Sequence, residues 1–81
     1  MTRLPRDLDG KQLARSLKKL GYEPSRQTGD HMRLTTKERG EHHLTIPDHR
    51  PLKPGTLNAI LREIERHHGL SRAALLKRLF G

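Results

Sequence analysis

The sequence predicts an α+β fold in two layers, with helices on one face of a three-stranded antiparallel sheet. Two patterns carry that expectation. Leu13, Leu17 and Leu20, and later Leu57, Ile60, Leu61 and Ile64, recur at the three- and four-residue spacing of a helix face. Between them the stretches 31–36 and 42–47 alternate apolar with polar residues, which is the period of a half-buried strand. The 81 residues make a single domain, 1–81. A chain of that length buries only about two-thirds of the surface its unfolded form exposes, so the core is modest.

After a short surface arm, Asp9 can cap a helix from Gly10 to Leu20, and Gly21 supplies its stop. Lys11, Arg15, Lys18 and Lys19 fall away from its apolar face and read as solvated surface that adds to the general field. Tyr22 to Gln27 reads as a strand, but Pro24 has no amide hydrogen for a ladder, which places it at an edge or a bulge. Thr28-Gly29-Asp30 then makes a tight turn in which Gly29 takes the positive φ such connections demand. His31 to Thr36 and His42 to Pro47 form two further strands, joined through Lys37-Glu38-Arg39-Gly40-Glu41. Met32, Leu34, Leu44 and Ile46 point toward the helices, leaving His31, Arg33, Thr35, His43 and Thr45 on the other face. The loop from Asp48 to Lys53 leads to Pro54, which suits the first position of a second helix because its missing N–H would be unpaired there. That helix runs to about His68 with Gly69 as stop, and Ser71 caps a short third helix bearing Leu75, Leu76, Leu79 and Phe80.

Seventeen Lys and Arg against nine Asp and Glu give a net charge of +8, a surface that favours polyanions: nucleic acid first, an acidic protein second. The basic residues are spread over several short elements instead of one amphipathic helix, which argues against a membrane surface. No segment approaches membrane-spanning length and the Met1-Thr2-Arg3-Leu4-Pro5 start lacks an apolar run, so a cytoplasmic protein is expected. With no cysteine, disulfides, thiolate catalysis and cysteine-ligated zinc are excluded.

Six histidines raise the question of a metal, and spacing answers it. His42 and His43 face opposite ways on a strand, while His67 and His68 stand roughly 100° apart on a helix, so neither pair grips one ion. No metal and no cofactor is expected, and His67 and His68 read as partners of the helix C-terminus. Gly-rich phosphate loops, nucleophile elbows and helical His-Glu-x-x-His pairs are absent.

What remains is a basic sheet face bearing a histidine close to phosphate-binding groups. RNA cleavage needs little more: a base for the 2′-hydroxyl proton, a cation for the pentacoordinate phosphate and an acid for the leaving oxygen. On that reading His31 is the general base or acid and Arg33 steadies the phosphate. Lys53 and the free amides opening the second helix form another anion site. His49 is the candidate acid, since its loop can approach the sheet end near His31. From the residues alone, His31 reads equally as an ordinary surface histidine.

Gly21-Tyr22, then Arg26-Gln27-Thr28-Gly29-Asp30-His31, then Thr45-Ile46-Pro47-Asp48-His49, then Leu52-Lys53-Pro54-Gly55-Thr56-Leu57 and Ile60-Leu61-Arg62 together resemble the HicA, or YcfA-like, toxin family. The resemblance covers nearly the whole chain. It implies a fold like a double-stranded-RNA-binding domain, α-β-β-β-α, and the activity of an mRNA interferase, a metal-independent endoribonuclease that acts without the ribosome. It further implies a HicB-type antitoxin that covers the active-site histidine, with operator DNA bound only through the antitoxin complex. By position the family's catalytic histidine falls on His31; the RNA-binding candidates beside it, Arg26, Gly29, Arg33 and Lys53, are read from the residues themselves. Asp30 stands where the family commonly has serine. An acid there either orients His31 and favours its charged form or repels the phosphate. The segment from Glu63 to His68 also runs longer than usual. The alternative is a non-catalytic RNA-binding module using the same sheet and helix terminus, or a charge that serves mainly to hold an acidic antitoxin.

Overall fold

A computed structural model describes residues 2–81. Helix α1 (Gly10–Ser16) continues into a 3-10 segment (Leu17–Leu20), followed by strands β1 (Glu23–Thr28), β2 (His31–Thr36) and β3 (His42–Pro47) and helices α2 (Pro54–His68) and α3 (Arg72–Phe80). This is the expected α-β-β-β-α order with a third helix. The strands lie in the order β1-β2-β3, both pairs antiparallel.

Three boundaries differ from expectation: β1 runs on through Thr28, which pairs with His31, and the other two share one cause. The Gly10–Leu20 helix tightens to 3-10 winding in its last turn, where Gly21 at φ +82° donates to the Lys18 carbonyl and Tyr22 to the Leu17 carbonyl. Tyr22 N–H is spent on that cap, so the strand begins one residue later, at Glu23, and the Tyr22 ring turns into the core. Pro24 meets both expectations for it: β1 is an edge strand, and its register against β2 slips between Pro24 and Arg26.

The alternation of the other strands holds. Met32, Leu34, Leu44 and Ile46 are buried beneath the helices, whereas His31, Arg33, His43 and Thr45 are exposed and Thr35 is partly so. From the helix layer Leu13, Leu17, Leu20, Leu57, Ile60, Leu61 and Ile64 complete the core, joined by Leu75 and Leu79 of α3. Pro54 opens α2 and Gly69 closes it at φ +65°. Ser71 caps α3, its hydroxyl accepting from Ala74 N–H.

Gly10 sets the height of α1 over the sheet. Its N–H donates to the His49 carbonyl at 3.0 Å, and a Cβ at this position would overlap the Pro47 carbonyl oxygen. Only glycine lets the helix start this close to the end of β3.

Candidate active site

Pairing of Thr28 with His31 leaves a two-residue turn, Gly29-Asp30, with Gly29 at φ +58°. Side chains at such a turn project from the end of the sheet. The chain returns to the same end after β3, where Asp48 N–H donates to the Asp30 carbonyl at 2.6 Å. That bond brings together two segments eighteen residues apart and delivers His49 to the turn.

Asp30 therefore sits between two imidazoles. Its Oδ1 lies 3.1 Å from His31 Nδ1 and its Oδ2 lies 3.4 Å from His49 Nε2, each an ion pair when the ring is protonated. All three side chains are about half exposed. The contacts use one nitrogen of each ring, leaving His31 Nε2 and His49 Nδ1 without a hydrogen-bond partner among the described residues. His31 and His49, named separately in the sequence, thus stand on one carboxylate, and Asp30 is the member whose part the sequence left open.

Beside them Arg26 and Arg33 are register partners on adjacent strands, both exposed and neither in an ion pair among the described residues. Two like charges directly opposite each other destabilise a sheet. Arg33 is two residues from His31 on the same face, a rise of about 7 Å. Lys53 is the N-cap residue of α2, whose first amides have no side-chain cap. It is carried by the same loop as His49 but makes no hydrogen bond or ion pair with the histidine pair among the described residues.

Further along this face a hydrogen-bonded chain crosses all three strands. Thr35 Oγ1 meets Ser25 Oγ at 3.0 Å and His43 Nδ1 at 2.8 Å, and His43 Nε2 meets Glu41 Oε2 at 3.1 Å. Both nitrogens of His43 are occupied, which suits a fixed strut more than a reacting group.

The remaining histidines gather at the opposite end of the sheet, an arrangement that sequence reasoning missed. Tyr22 Oη lies 2.7 Å from His42 Nδ1 and 3.0 Å from His68 Nε2, and His67 stacks on His42 with ring centroids 4.4 Å apart. His67 Nε2 donates to the Glu38 and Gly40 carbonyls, tying α2 to the β2–β3 turn. Burial pushes the Tyr22 hydroxyl up, helped by Glu63 and Glu38. Burial also holds His42 and His68 below the ordinary imidazole range, with His67 adding to the effect. His67 and His68 lie in the last turn of α2, as expected, and also serve as packing and hydrogen-bonding groups between elements. Among the described residues no group of three or more His, Asp or Glu side chains is placed to hold a metal ion, and no helix is long and apolar enough to cross a membrane.

Residues 10–65 match the family model described as the HicA toxin of bacterial toxin–antitoxin systems. No curated protein and no solved structure matches the chain. The matched span contains all three strands, the Gly29-Asp30 turn, His31, His49 and most of α2, and it covers well over half of the chain. The chain therefore belongs to the HicA family, the toxins of bacterial toxin–antitoxin systems, which act beside a cognate antitoxin.

Proposed function

We propose that this toxin is a metal-independent endoribonuclease in which His31 and His49 exchange protons with RNA. The observation that carries the reading is the Asp30 carboxylate with one oxygen toward each imidazole, on an exposed face beside an uncompensated arginine pair. A polar triplet of this kind orients two proton carriers toward one reaction site. The arginines, costly to each other when nothing lies between them, become favourable once a phosphate does.

In the proposed step neutral His31 takes the 2′-hydroxyl proton through Nε2, and the 2′-oxygen attacks the adjacent phosphorus. The bond from phosphorus to the 5′-oxygen breaks, and protonated His49 gives its proton to that oxygen. The products are a 2′,3′-cyclic phosphate and a free 5′-hydroxyl. Arg33, with Arg26 across the strand, meets the charge that builds on the equatorial oxygens, and Lys53 with the first amides of α2 holds a neighbouring phosphate. The nucleophile belongs to the substrate, so DNA of the same sequence is not cut. A HicB-type antitoxin covering this face silences the toxin.

The test is incubation of an intact transcript with purified protein in the presence of a chelator. Wild type shortens the RNA and leaves cyclic phosphate ends, while His31→Ala is about 10²- to 10⁴-fold slower and stays folded. Cleavage by cleanly purified His31→Ala at the wild-type rate overturns the assignment. RNA shifted by wild type but never shortened identifies a binding module instead.

A further inference from the structure

The helix layer does not cover the whole sheet. On the helix-facing side of β1 stand Pro24 and Gln27, partners of Leu34 and Met32, and both are exposed although their partners are buried. Helices α1 and α2 pack over β3 and leave β1 uncovered. Between α1 and this bare strand runs an open groove of about 220 Å³, lined by Lys11, Ala14, Arg15, Lys18, Pro24 and Met32.

Its chemistry is divided. Met32, Ala14 and Pro24 make an apolar floor, and three cations one helical turn apart make the wall. Lys11 is partly engaged, 3.5 Å from Asp48 Oδ2, but Arg15 and Lys18 form no ion pair among the described residues. The groove is smaller than the roughly 300–1,000 Å³ of small-molecule pockets, so it suits one or two inserted side chains. No aromatic ring lies in it for a base to stack on, which disfavours RNA. Pro24 and the adjacent bulge also blunt the edge of β1 against an added strand, so an occupant is held by its side chains.

We propose that this groove seats an acidic segment of a partner protein, an apolar side chain resting over Met32 and its carboxylates meeting Arg15 and Lys18. For a toxin of this family the partner is the cognate antitoxin. The groove opens on the face opposite His31, so the contact is a handle separate from the catalytic face, and it stands whether or not that face cuts RNA.

The experiment titrates the cognate antitoxin into three forms of the full chain: wild type, Arg15→Glu with Lys18→Glu, and a control of equal charge change, Lys37→Glu with Lys77→Glu. Both pairs are exposed, and thermal unfolding checks that each variant is folded. The groove variant is expected to lose at least tenfold in antitoxin affinity and the control less than threefold, with RNA binding by the free groove variant within threefold of the control. Unchanged affinity in the groove variant overturns the proposal. So does an equal loss in the control, which reports only the general field, or a selective loss of RNA binding in the groove variant, which makes the groove an RNA site.

Discussion

Asp30 does two jobs with different parts of one residue. Its carbonyl accepts from Asp48 N–H and fixes the second loop, while its carboxylate spans His31 and His49. The two roles its side chain can play, orienting the imidazoles or repelling phosphate, separate cleanly in Asp30→Asn, which keeps the shape and removes the charge. If it orients, single-turnover cleavage slows about a hundredfold, the order of loss that misplacing a catalytic group brings, while RNA affinity holds or rises. Tighter binding with an undiminished rate would leave Asp30 as a mere electrostatic neighbour. The sequence placed His31 on the exposed face by simple alternation, because Met32 and Leu34 admit only one orientation of β2. It could not place His49 against Asp30, since that contact depends on a loop whose path is set by Gly10 and Asp48.

At the scale of elements, the start of α1 and the His49 loop are one mechanical unit. Gly10→Ala forces them apart at the Pro47 carbonyl, at a cost of about 1–3 kcal/mol for overpacking. Because Gly10 N–H also holds the His49 carbonyl, cleavage is expected to fall more than tenfold even at temperatures where the variant remains folded, as urea unfolding and single-turnover rates together would show. A stability loss with the rate untouched would uncouple the two.

The far end of the sheet answers to pH. His42 and His68 take up protons at lower pH when folded than their ordinary value near 6.5, chiefly through burial and then through His67; Glu63 opposes this at His42, and Glu38 opposes it at His68 while Arg39 reinforces it. Below about pH 6.5 the unfolded chain therefore binds more protons, so the stability these groups contribute is complete above that pH and drains as pH falls. The urea midpoint is expected to fall between pH 7.5 and 5.5, and a flat profile would exclude the cluster as the cause. None of this was visible in the chain, where Tyr22, His42 and His68 are separated by 20 and 46 residues. Periodicity shows which face a residue takes, and says nothing of which distant side chain shares it.

For the molecule as a whole, a charge of +8 predicts that the proposed association with RNA depends on salt. Each phosphate contact on a single strand contributes a slope of about −0.7 to the dependence of log affinity on log salt. The three contacts proposed for Arg26, Arg33 and Lys53 predict a slope near −2. Arg33→Ala should flatten that slope by about 0.7, and an unaltered slope would remove Arg33 from the contact set.

Helix α3 lies outside residues 10–65, the part held in common with the family. Yet Leu75 and Leu79 are buried in the single core. The helix is also latched from both sides: Lys19 Nζ donates to the Leu79 carbonyl at 3.0 Å, Arg78 returns a bond to the Lys19 carbonyl at 3.3 Å, and Arg72 pairs with Glu65 and Asn58 of α2. The span matched by the family and the folding unit therefore have different lengths. A fragment trimmed to the shared span would keep every residue of the candidate site and lose the lid of its own core.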